Sequence, residues 1–467
     1  MSAIFLLLLT HLSALSQTAP AKRMSPVSLP DIVFVQAPEI VSGPLAQRFP
    51  RGSMIVRFHP SATNNLAHLT GGFFAAADPQ ISFDTTRILF SAQKTSTGRW
   101  QVWEINLDGS NPHQVTHCSD NCLRAAYLPA EEIVFTVEEL QGTAPRSYLA
   151  VAKLDGSDLH RITFGSAPFQ LETVLRDGRI VASAPWPLVG PEHEAGTRIL
   201  YTLRPDGTGL ESFRCDHSDN AVQTGAEELA DGSLVFVRKP RADSAVAGEL
   251  MQIRQGAASA TPVVDRPIVY GAPRQISADQ LVVAKQTPSA GKIAARFDLY
   301  RLNVKRGTLA ERLYSDPQLS SIQPTPVIAR TIPKHYWHTL NPQSSTGNFI
   351  SLNSYLSADD PHGRMAEQIS KVRVFTLRST DGQERSLGDA PVEADGSFFV
   401  QIPANWPVRF VLLGANGQVL REERGWIWAR PGEERGCGGC HGDKAVAPEN
   451  HWPQTLRRFD TPTPLGD

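Results

Sequence analysis

Short runs of alternating apolar and polar residues, separated by Asp-Gly turns, recur along the chain from residue 31 to about residue 320. Alternation with a period of two is typical of half-buried β-strands, and Asp-Gly tolerates the positive φ of a tight hairpin. The clearest turns are Asp108-Gly109-Ser110, Asp155-Gly156-Ser157, Asp177-Gly178, Asp206-Gly207-Thr208 and Asp231-Gly232-Ser233. The pattern therefore predicts repeated units of short antiparallel strands.

The repeat period of about 40 to 45 residues is typical of one four-stranded propeller blade. Six copies can be counted, the first running from Asp31 to Thr70, and a seventh could lie in the degenerate stretch 315–335. The sequence thus predicts a six- or seven-bladed β-propeller over residues 31–335, with a pair of β-sandwiches as the alternative. The unit resembles the TolB-like (PD40) repeat. A propeller fold does not by itself indicate a function.

A different pattern begins at about residue 345. Turns rich in Asp, Asn and Gly separate five predicted strands, at residues 348–352, 371–375, 397–402, 409–413 and 423–428. This spacing predicts a small antiparallel β-sandwich over residues 345–430, followed by a short tail over residues 431–467. The 35 Gly and 35 Pro of the 467 residues agree with an all-β protein.

The tail contains Cys437-Gly438-Gly439-Cys440-His441, which is the C-x-x-C-H pattern of covalent c-type haem attachment. The two thiols can each form a thioether, and His441 then lies beside the iron as an axial ligand. A zinc site would need two further ligands at matching spacing, and the other close pair, Cys118 and Cys122, lies far upstream. The sequence predicts one covalent haem c.

The N-terminus is typical of a secretory signal peptide, here assigned to residues 1–16. Its apolar run is too short to span a membrane, and a small-x-small site ends at Ser16. Export suits c-type haem attachment and predicts a periplasmic or otherwise exported mature protein. In that compartment Cys118 and Cys122 could form a disulfide, or Cys215 could bridge to one of them.

Charge and motif content exclude several classes of function. The formal net charge is −2 and the pI is near 6.7, so neither nucleic acid nor an anionic membrane surface is an expected partner. The chain has no G-x-S-x-G, phosphate-loop or H-E-x-x-H motif. A hydrolase is therefore unsupported.

A family resemblance appears in the segment 387–405, in Trp426 and Trp428, and in Arg430-Pro431-Gly432-Glu433 just before the haem motif. These residues resemble the hydrazine synthase alpha subunit family, strongly over 345–445 and more loosely over the propeller. The resemblance implies a TolB-like propeller joined to a β module and c-type haem, and it implies partner subunits in a larger complex.

The same resemblance implies a single-haem relative rather than the catalytic subunit. The family's catalytic subunits carry a second haem motif, and a tyrosine a few residues beyond the motif ligates the active-site iron. This chain has one C-x-x-C-H, and Ala445 stands four residues after His441, with no tyrosine following. Fold and haem attachment are therefore expected to carry over, and hydrazine synthesis is not.

The sequence offers several candidates for the sixth iron ligand. His451 is the histidine nearest to the motif and would give a bis-histidine site. The other candidates are Met54, Met251, Met365, His335 and His338. Without a sixth ligand the haem would be five-coordinate and could bind or reduce a small nitrogen or oxygen species.

Two functions from different classes follow. The first is an exported c-type haem protein that transfers electrons, with a redox partner protein, or that performs small-molecule redox chemistry. The second is a propeller-based binding or assembly module whose single haem is an auxiliary relay or is structural.

Overall fold

The computed structural model describes the chain from residue 29 to residue 466 with internal gaps. The described residues are 29–62, 65–140, 146–186, 197–213, 221–240, 247–254, 257, 259–264, 269–287, 296–337, 340–357, 365, 367–377, 383–423, 425–438, 452–458 and 461–466. The predicted signal peptide lies outside them.

Six four-stranded blades form the larger part of the described chain. Strands of blades 1 and 2 are β1 (Ile32–Ala37), β2 (Met54–Phe58), β3 (Leu66–His68), β4 (Ala75–Ile81), β5 (Arg87–Gln93), β6 (Trp100–Asn106) and β7 (His113–Gln114). Blades 3 and 4 contain β8 (Asn121–Leu128), β9 (Glu132–Glu139), β10 (Arg146–Lys153), β11 (His160–Arg161), β12 (Gln170–Val174), β13 (Ile180–Pro185), β14 (Arg198–Leu203) and β15 (Glu211–Ser212). Blades 5 and 6 contain β16 (Ala221–Glu228), β17 (Leu234–Pro240), β18 (Glu249–Ile253), β19 (Thr261–Pro262), β20 (Val269–Ser277), β21 (Gln280–Thr287), β22 (Arg296–Asn303) and β23 (Thr308–Tyr314).

Blade 1 takes its innermost strand from the far end of the propeller sequence. Strand β24 (Ser320–Pro326) pairs antiparallel with β1, and the sheet order is β24-β1-β2-β3. A seventh blade in 315–335 is therefore wrong, because that stretch supplies the strand that closes blade 1. The predicted all-β fold is confirmed, and the described blades number six.

Two of the Asp-Gly turns, at Gly156 and Gly207, are packed tightly by the preceding blade. In the turn at Asp206 the side-chain Oδ1 accepts hydrogen bonds from the backbone N–H and the hydroxyl of Thr208. Gly207 adopts φ +83°, and a Cβ at this position would lie 2.4 Å from the carbonyl oxygen of Ile162 in the preceding blade. Glycine thus satisfies both the positive φ and the contact between blades.

The second module contains two four-stranded sheets over one apolar core. Its elements are β25 (Thr346–Ser351), β26 (Ile369–Leu377), β27 (Glu384–Pro391), β28 (Phe398–Pro403), β29 (Val408–Gly414), β30 (Val419–Glu422), β31 (Glu434–Cys437), helix α1 (Gln454–Arg458) and β32 (Thr463–Pro464). The sheet orders are β31-β25-β28-β32 and β27-β26-β29-β30. Phe349, Val374, Val400 and Phe410 are among the buried core residues.

The predicted strand at 423–428 is wrong. In this stretch the described residues make one isolated bridge, between Ile427 and Val408. The reason is that Trp428 leaves the module and inserts into the propeller. β27 and β30 were not predicted, since their burial patterns contain few fully buried positions.

Trp428 joins the module to blades 3 and 4. Its side chain is fully buried and packs edge-on against Phe164 and Phe169, at centroid distances of 5.7 and 5.9 Å. The indole Nε1 donates to the carbonyl oxygen of Gly207 at 3.0 Å. A buried tryptophan with its N–H satisfied contributes both apolar area and orientation, so this residue fixes how the module docks.

Among the described residues, no helix is long and apolar enough to cross a membrane.

Trp428→Ala is expected to lower the free energy of unfolding by about 3–5 kcal/mol, because it leaves a large cavity and an unpaired carbonyl. Urea unfolding followed by tryptophan fluorescence measures this. The control is Trp337→Ala, since Trp337 is 87 % exposed and its loss should cost under about 0.5 kcal/mol. Equal effects of the two changes would contradict the assigned role of Trp428.

Candidate functional site

Cys437 is the last residue of β31, an edge strand of the module. β31 runs parallel to β25, with Ser351 opposite Cys437. The carbonyl oxygen of Cys437 accepts a hydrogen bond from the backbone N–H of Leu352 at 2.9 Å. The first thiol of the C-x-x-C-H motif is therefore held on regular backbone, at the point where the chain leaves the sheet.

The Arg430-Pro431-Gly432-Glu433 turn positions β31. The backbone N–H of Glu433 donates to the carbonyl oxygen of Arg430 at 2.9 Å, and Gly432 has φ +70°. Pro at the second position and a positive-φ Gly at the third are the requirements of a type II turn. A Cβ on Gly432 would lie 2.9 Å from Asn341, so the turn has no room for a side chain there.

Two arginines attach this segment to the propeller. Arg430 Nε donates to the carbonyl oxygen of Asp206 at 2.7 Å, and its other end donates to Asn405 Oδ1 at 2.6 Å. Arg435 donates to the carbonyl oxygens of Trp428 and Leu210, both at 2.9 Å. The strand that carries Cys437 therefore contacts blade 4 directly.

The electrostatic environment keeps the Cys437 thiol protonated. Burial raises the pKa of Cys437, and the carboxylates of Glu423 and Glu433 raise it further, while Arg435 opposes them. Burial also raises the pKa of Glu433, whose carboxylate accepts the backbone N–H of Arg430 at 2.7 Å. Cys437 itself is half-buried and packs beside the module core.

The chain returns to the same sheet after the motif. The N–H groups that begin α1 are capped: Gln454 donates to Asp395 Oδ2 at 2.8 Å and Thr455 donates to Ser397 Oγ at 3.0 Å. β32 then pairs with β28, at the sheet edge opposite β31. The backbone on either side of residues 439–451 is thus fixed by one four-stranded sheet.

Several predicted site residues lie outside the described residues, namely Cys440, His441, His451 and His338. Of the described candidates for a sixth ligand, Met54 is in blade 1, where its Sδ lies 3.1 Å from His68 Nδ1. Met251 is buried in the core shared by blades 4 and 5. Met365 packs on the same module core as Cys437. His335, on the propeller side, stacks edge-on with Trp337.

The second cysteine pair is described in the propeller, and Cys215 lies outside the described residues. Cys118 and Cys122 are free thiols in this structure. A hydrogen bond between them lowers the pKa of Cys118 and raises that of Cys122. Among the described residues there is no group of three His, Cys, Asp or Glu side chains that could hold a metal ion.

Sequence reasoning did not single out the roles of Arg435, Glu433 or Asp395. Arg435 and Asp395 act on backbone groups distant in sequence, at Leu210 and Gln454. Glu433 acts within its own turn, on the backbone N–H of Arg430. The available signal was local, because Asp395-Gly396-Ser397 has the same Asp-Gly-Ser form as the propeller turns.

A family comparison bears on this module. Residues 356–442 match the family model described as the hydrazine synthase alpha subunit middle domain. The hydrazine synthase subunit alpha of Kuenenia stuttgartiensis is 35% identical over 112 residues, which span 23% of this chain and 14% of that protein. The resemblance to the hydrazine synthase alpha-like family is confirmed.

One solved structure shares the fold over most of the chain. Kuenenia stuttgartiensis hydrazine synthase superimposes with a TM-score of 0.80 at 19% identity, covering 92% of this chain and 71% of that chain. TolB from Acinetobacter baumannii aligns with a TM-score of 0.47 at 12% identity, covering 65% of this chain and 67% of that chain. The first comparison shows that this chain shares the combined architecture of propeller and module.

The cysteines of the haem-free protein should differ in reactivity. At pH 8 the thiolate fraction of Cys437 is reduced, because its pKa is raised, whereas that of Cys118 is increased. Iodoacetamide labelling followed by peptide mass spectrometry should therefore modify Cys118 before Cys437 and Cys122. Faster labelling of Cys437 than of Cys118 would contradict the described environment.

Proposed function

We propose that this chain is an exported c-type haem protein that takes part in redox chemistry of small nitrogen or oxygen species. The observation that supports this most is the placement of Cys437, a free thiol at the end of a strand in the module that matches the hydrazine synthase alpha family. The periplasm is the proposed location, because the predicted signal peptide would direct export and covalent haem attachment would follow export.

The described residues fit a covalently held haem. Cys437 is uncommitted to any disulfide and packs beside an apolar core, which is the environment that a porphyrin face needs. Cys437 and Cys440 would form the thioethers and His441 would be the axial ligand. When bound, the haem supplies a one-electron redox centre whose potential depends on its axial ligands and burial.

The chain's own contribution is to hold and shield this centre. Arg435 and the Arg430–Glu433 turn fix β31 against blade 4, which limits movement of the first thioether. The capped start of α1 fixes the chain on the far side of the motif. This two-sided anchoring holds the described residues on both sides of the motif against one sheet.

A redox partner protein, within a larger complex, is the proposed source or acceptor of electrons. The solved relative is named as a synthase, and its curated counterpart is named as a subunit. The single motif in this chain supports a one-haem member of such an assembly. The alternative is a propeller-based binding or assembly module with an auxiliary haem. Optical spectra of the haem distinguish the two functions.

The mature protein, produced with a cytochrome c maturation system, should carry one covalent haem. Cys437→Ala combined with Cys440→Ala should remove all covalent haem, because both thioether bonds are lost. Haem staining on a denaturing gel and intact mass measure this. Cys118→Ala with Cys122→Ala is the matched control and should retain the haem. Staining that persists in the first double variant would refute the attachment site.

The spin state of the iron should reveal the sixth ligand. If His451 binds the iron, His451→Ala changes a low-spin spectrum to a high-spin one and opens a site for nitric oxide. If Met365 binds the iron, Met365→Leu instead causes the change from a low-spin to a high-spin spectrum. We expect neither variant to alter the spectrum, because the family resemblance favours an open iron site. Met54→Leu is the control, since Met54 contacts His68 in blade 1.

A wild-type spectrum that is high-spin and shifts with hydroxylamine would support small-molecule chemistry. A low-spin spectrum that neither nitric oxide nor hydroxylamine changes would instead favour an auxiliary relay.

A further inference from the structure

The innermost strands of the propeller share an unusual backbone feature around the central channel. Each departs from regular pairing near its middle. Asp78, Arg124 and Gln323 adopt positive φ of 55°, 50° and 51° there, and Gly225 and Gly271 adopt 65°. Left-handed conformations cost a non-glycine residue about 1 kcal/mol or more, and such strain is concentrated at functional sites.

Two ion pairs occupy this level of the channel. Arg48 lies 3.2 Å from Asp78, and Arg124 lies 3.1 Å from Glu172. Asp78 also accepts a hydrogen bond from Gln323 Nε2 at 2.6 Å. Both carboxylates are therefore already engaged by cations and donors.

Glu172 is especially well satisfied. It accepts hydrogen bonds from the hydroxyl of Ser183 at 2.6 Å, from the hydroxyl of Thr224 at 3.1 Å and from the backbone N–H of Gly225 at 2.6 Å. The oxygens of Glu172 are therefore largely occupied by donors. Glu172 has little capacity left to neutralise further cations.

Two more cations face the same cluster, and neither forms an ion pair with a carboxylate of the described residues. Arg198 donates to the carbonyl oxygens of Pro168 and Ser183, at 2.9 and 2.7 Å. Lys239 Nζ lies 5.4 Å from the centroid of the Tyr270 ring, and no described residue forms a hydrogen bond or ion pair with it. Within the described part of the cluster, four cations thus face the two carboxylates of Asp78 and Glu172.

Burial, together with repulsion from neighbouring cations, lowers the pKa of both Lys239 and Arg198. Burial lowers the pKa of Lys239 to about 8, helped by repulsion from Arg124 and Arg48, while Glu172 opposes the shift. Burial likewise lowers the pKa of Arg198 to about 10. These are the directions expected of cations held near one another in a poorly hydrated place.

The cluster is covered at one end of the channel. The loop between β1 and β2 includes a short 3-10 turn, Leu45–Gln47, whose backbone N–H groups at Leu45 and Ala46 donate to the Glu138 carboxylate. Trp100 Nε1 donates to the carbonyl oxygen of Ala46 at 2.9 Å. This loop carries Arg48 into the channel and shields the cluster from bulk water.

The other end is crossed by the segment that follows β24. The backbone N–H of Arg330 donates to the carbonyl oxygen of Phe83 at 3.0 Å, and its guanidinium donates to that of Ile81 at 2.6 Å. Because both ends are covered, uncompensated positive charge inside the channel is costly.

We propose that this end of the propeller channel binds a small oxyanion, of the phosphate, sulfate or carboxylate class, with Lys239 as the principal donor and Arg48, Arg124 and Arg198 around it. Guanidinium and ammonium groups form the strongest hydrogen bonds to such anions. The ligand would supply the negative charge that the described residues lack. This site is separate from Cys437 and does not depend on haem.

Sulfate is the probe, because it does not titrate near neutral pH. Isothermal calorimetry and thermal unfolding would compare sulfate with chloride at equal ionic strength, on the full mature protein. Sulfate should bind and raise the melting temperature of the wild type. Lys239→Gln should weaken binding about tenfold or more, since a charged donor is removed.

The matched control is Lys285→Gln. Lys285 lies in the neighbouring blade, with its Nζ 5.2 Å from the ring centroid of Tyr300, so it repeats the stacking of Lys239 without the cation cluster. The Lys285→Gln variant should bind sulfate with the affinity of the wild type. Equal sulfate affinity in Lys239→Gln and the wild type, or no sulfate-specific effect in the wild type, would overturn the proposal.

The pH dependence gives a second test. Lys239 faces Tyr270 on β20, Arg124 on β8, Glu172 on β12 and Arg48 from the covering loop. Its pKa of about 8 lies below the pKa of about 10 of Arg198. Sulfate affinity should therefore fall as pH rises through about 8, while Lys239→Arg should bind equally at pH 7 and 9. An identical fall in Lys239→Arg would contradict the assignment.

The haem-free variant with Cys437→Ala and Cys440→Ala separates this inference from the proposed function. It should bind sulfate with unchanged affinity, whether or not the haem proposal holds.

Discussion

The pairing of β24 with β1 is the contact on which the rest of the structure depends. It joins residues about three hundred positions apart in sequence, with Ile32 opposite Pro326. Each blade buries its faces only against its neighbours, so an unclosed ring would leave both terminal blades with exposed apolar faces. Closure also sets the starting point of the segment that leads across the propeller to the second module.

From that starting point, backbone contacts determine where the module lies. The linker is held at Arg330 and again at Lys334, whose N–H donates to the carbonyl oxygen of Arg176. Trp428 and Arg430 then bind the Asp206-Gly207 turn from the module side. A turn that belongs to the propeller repeat therefore also serves as the docking point of the module, and through it the propeller positions Cys437.

The sequence contained the signals for local structure and lacked those for distant contacts. Alternation and Asp-Gly turns predicted the blades, because both act within a few residues. The stretch 423–428 was predicted as a strand on the same grounds and is not one, since Trp428 gains more from burial between blades 3 and 4 than from pairing. The partner of β24 could not be predicted, because strand register between distant segments is set by the whole ring.

The same division applies to the candidate site. C-x-x-C-H is a local pattern and identified Cys437 at once, whereas Arg435 gains its role only by reaching Leu210. The cations of the channel come from blades 3, 4 and 5 and from the β1–β2 loop, and nothing in their sequence neighbourhoods marks them as a group. Their common location follows from the ring geometry and from the irregular backbone of the inner strands.

The parallel pairing of β31 with β25 has a consequence for the order of events in folding. Parallel neighbours must be joined by a long connection, and here that connection includes most of the module, so β31 can dock only after the central strands are in place. Until then Cys437 lies on a free chain, where the proposed haem attachment would find it accessible. Docking afterwards would convert a reactive, accessible thiol position into a fixed one, so folding itself would set the time available for modification.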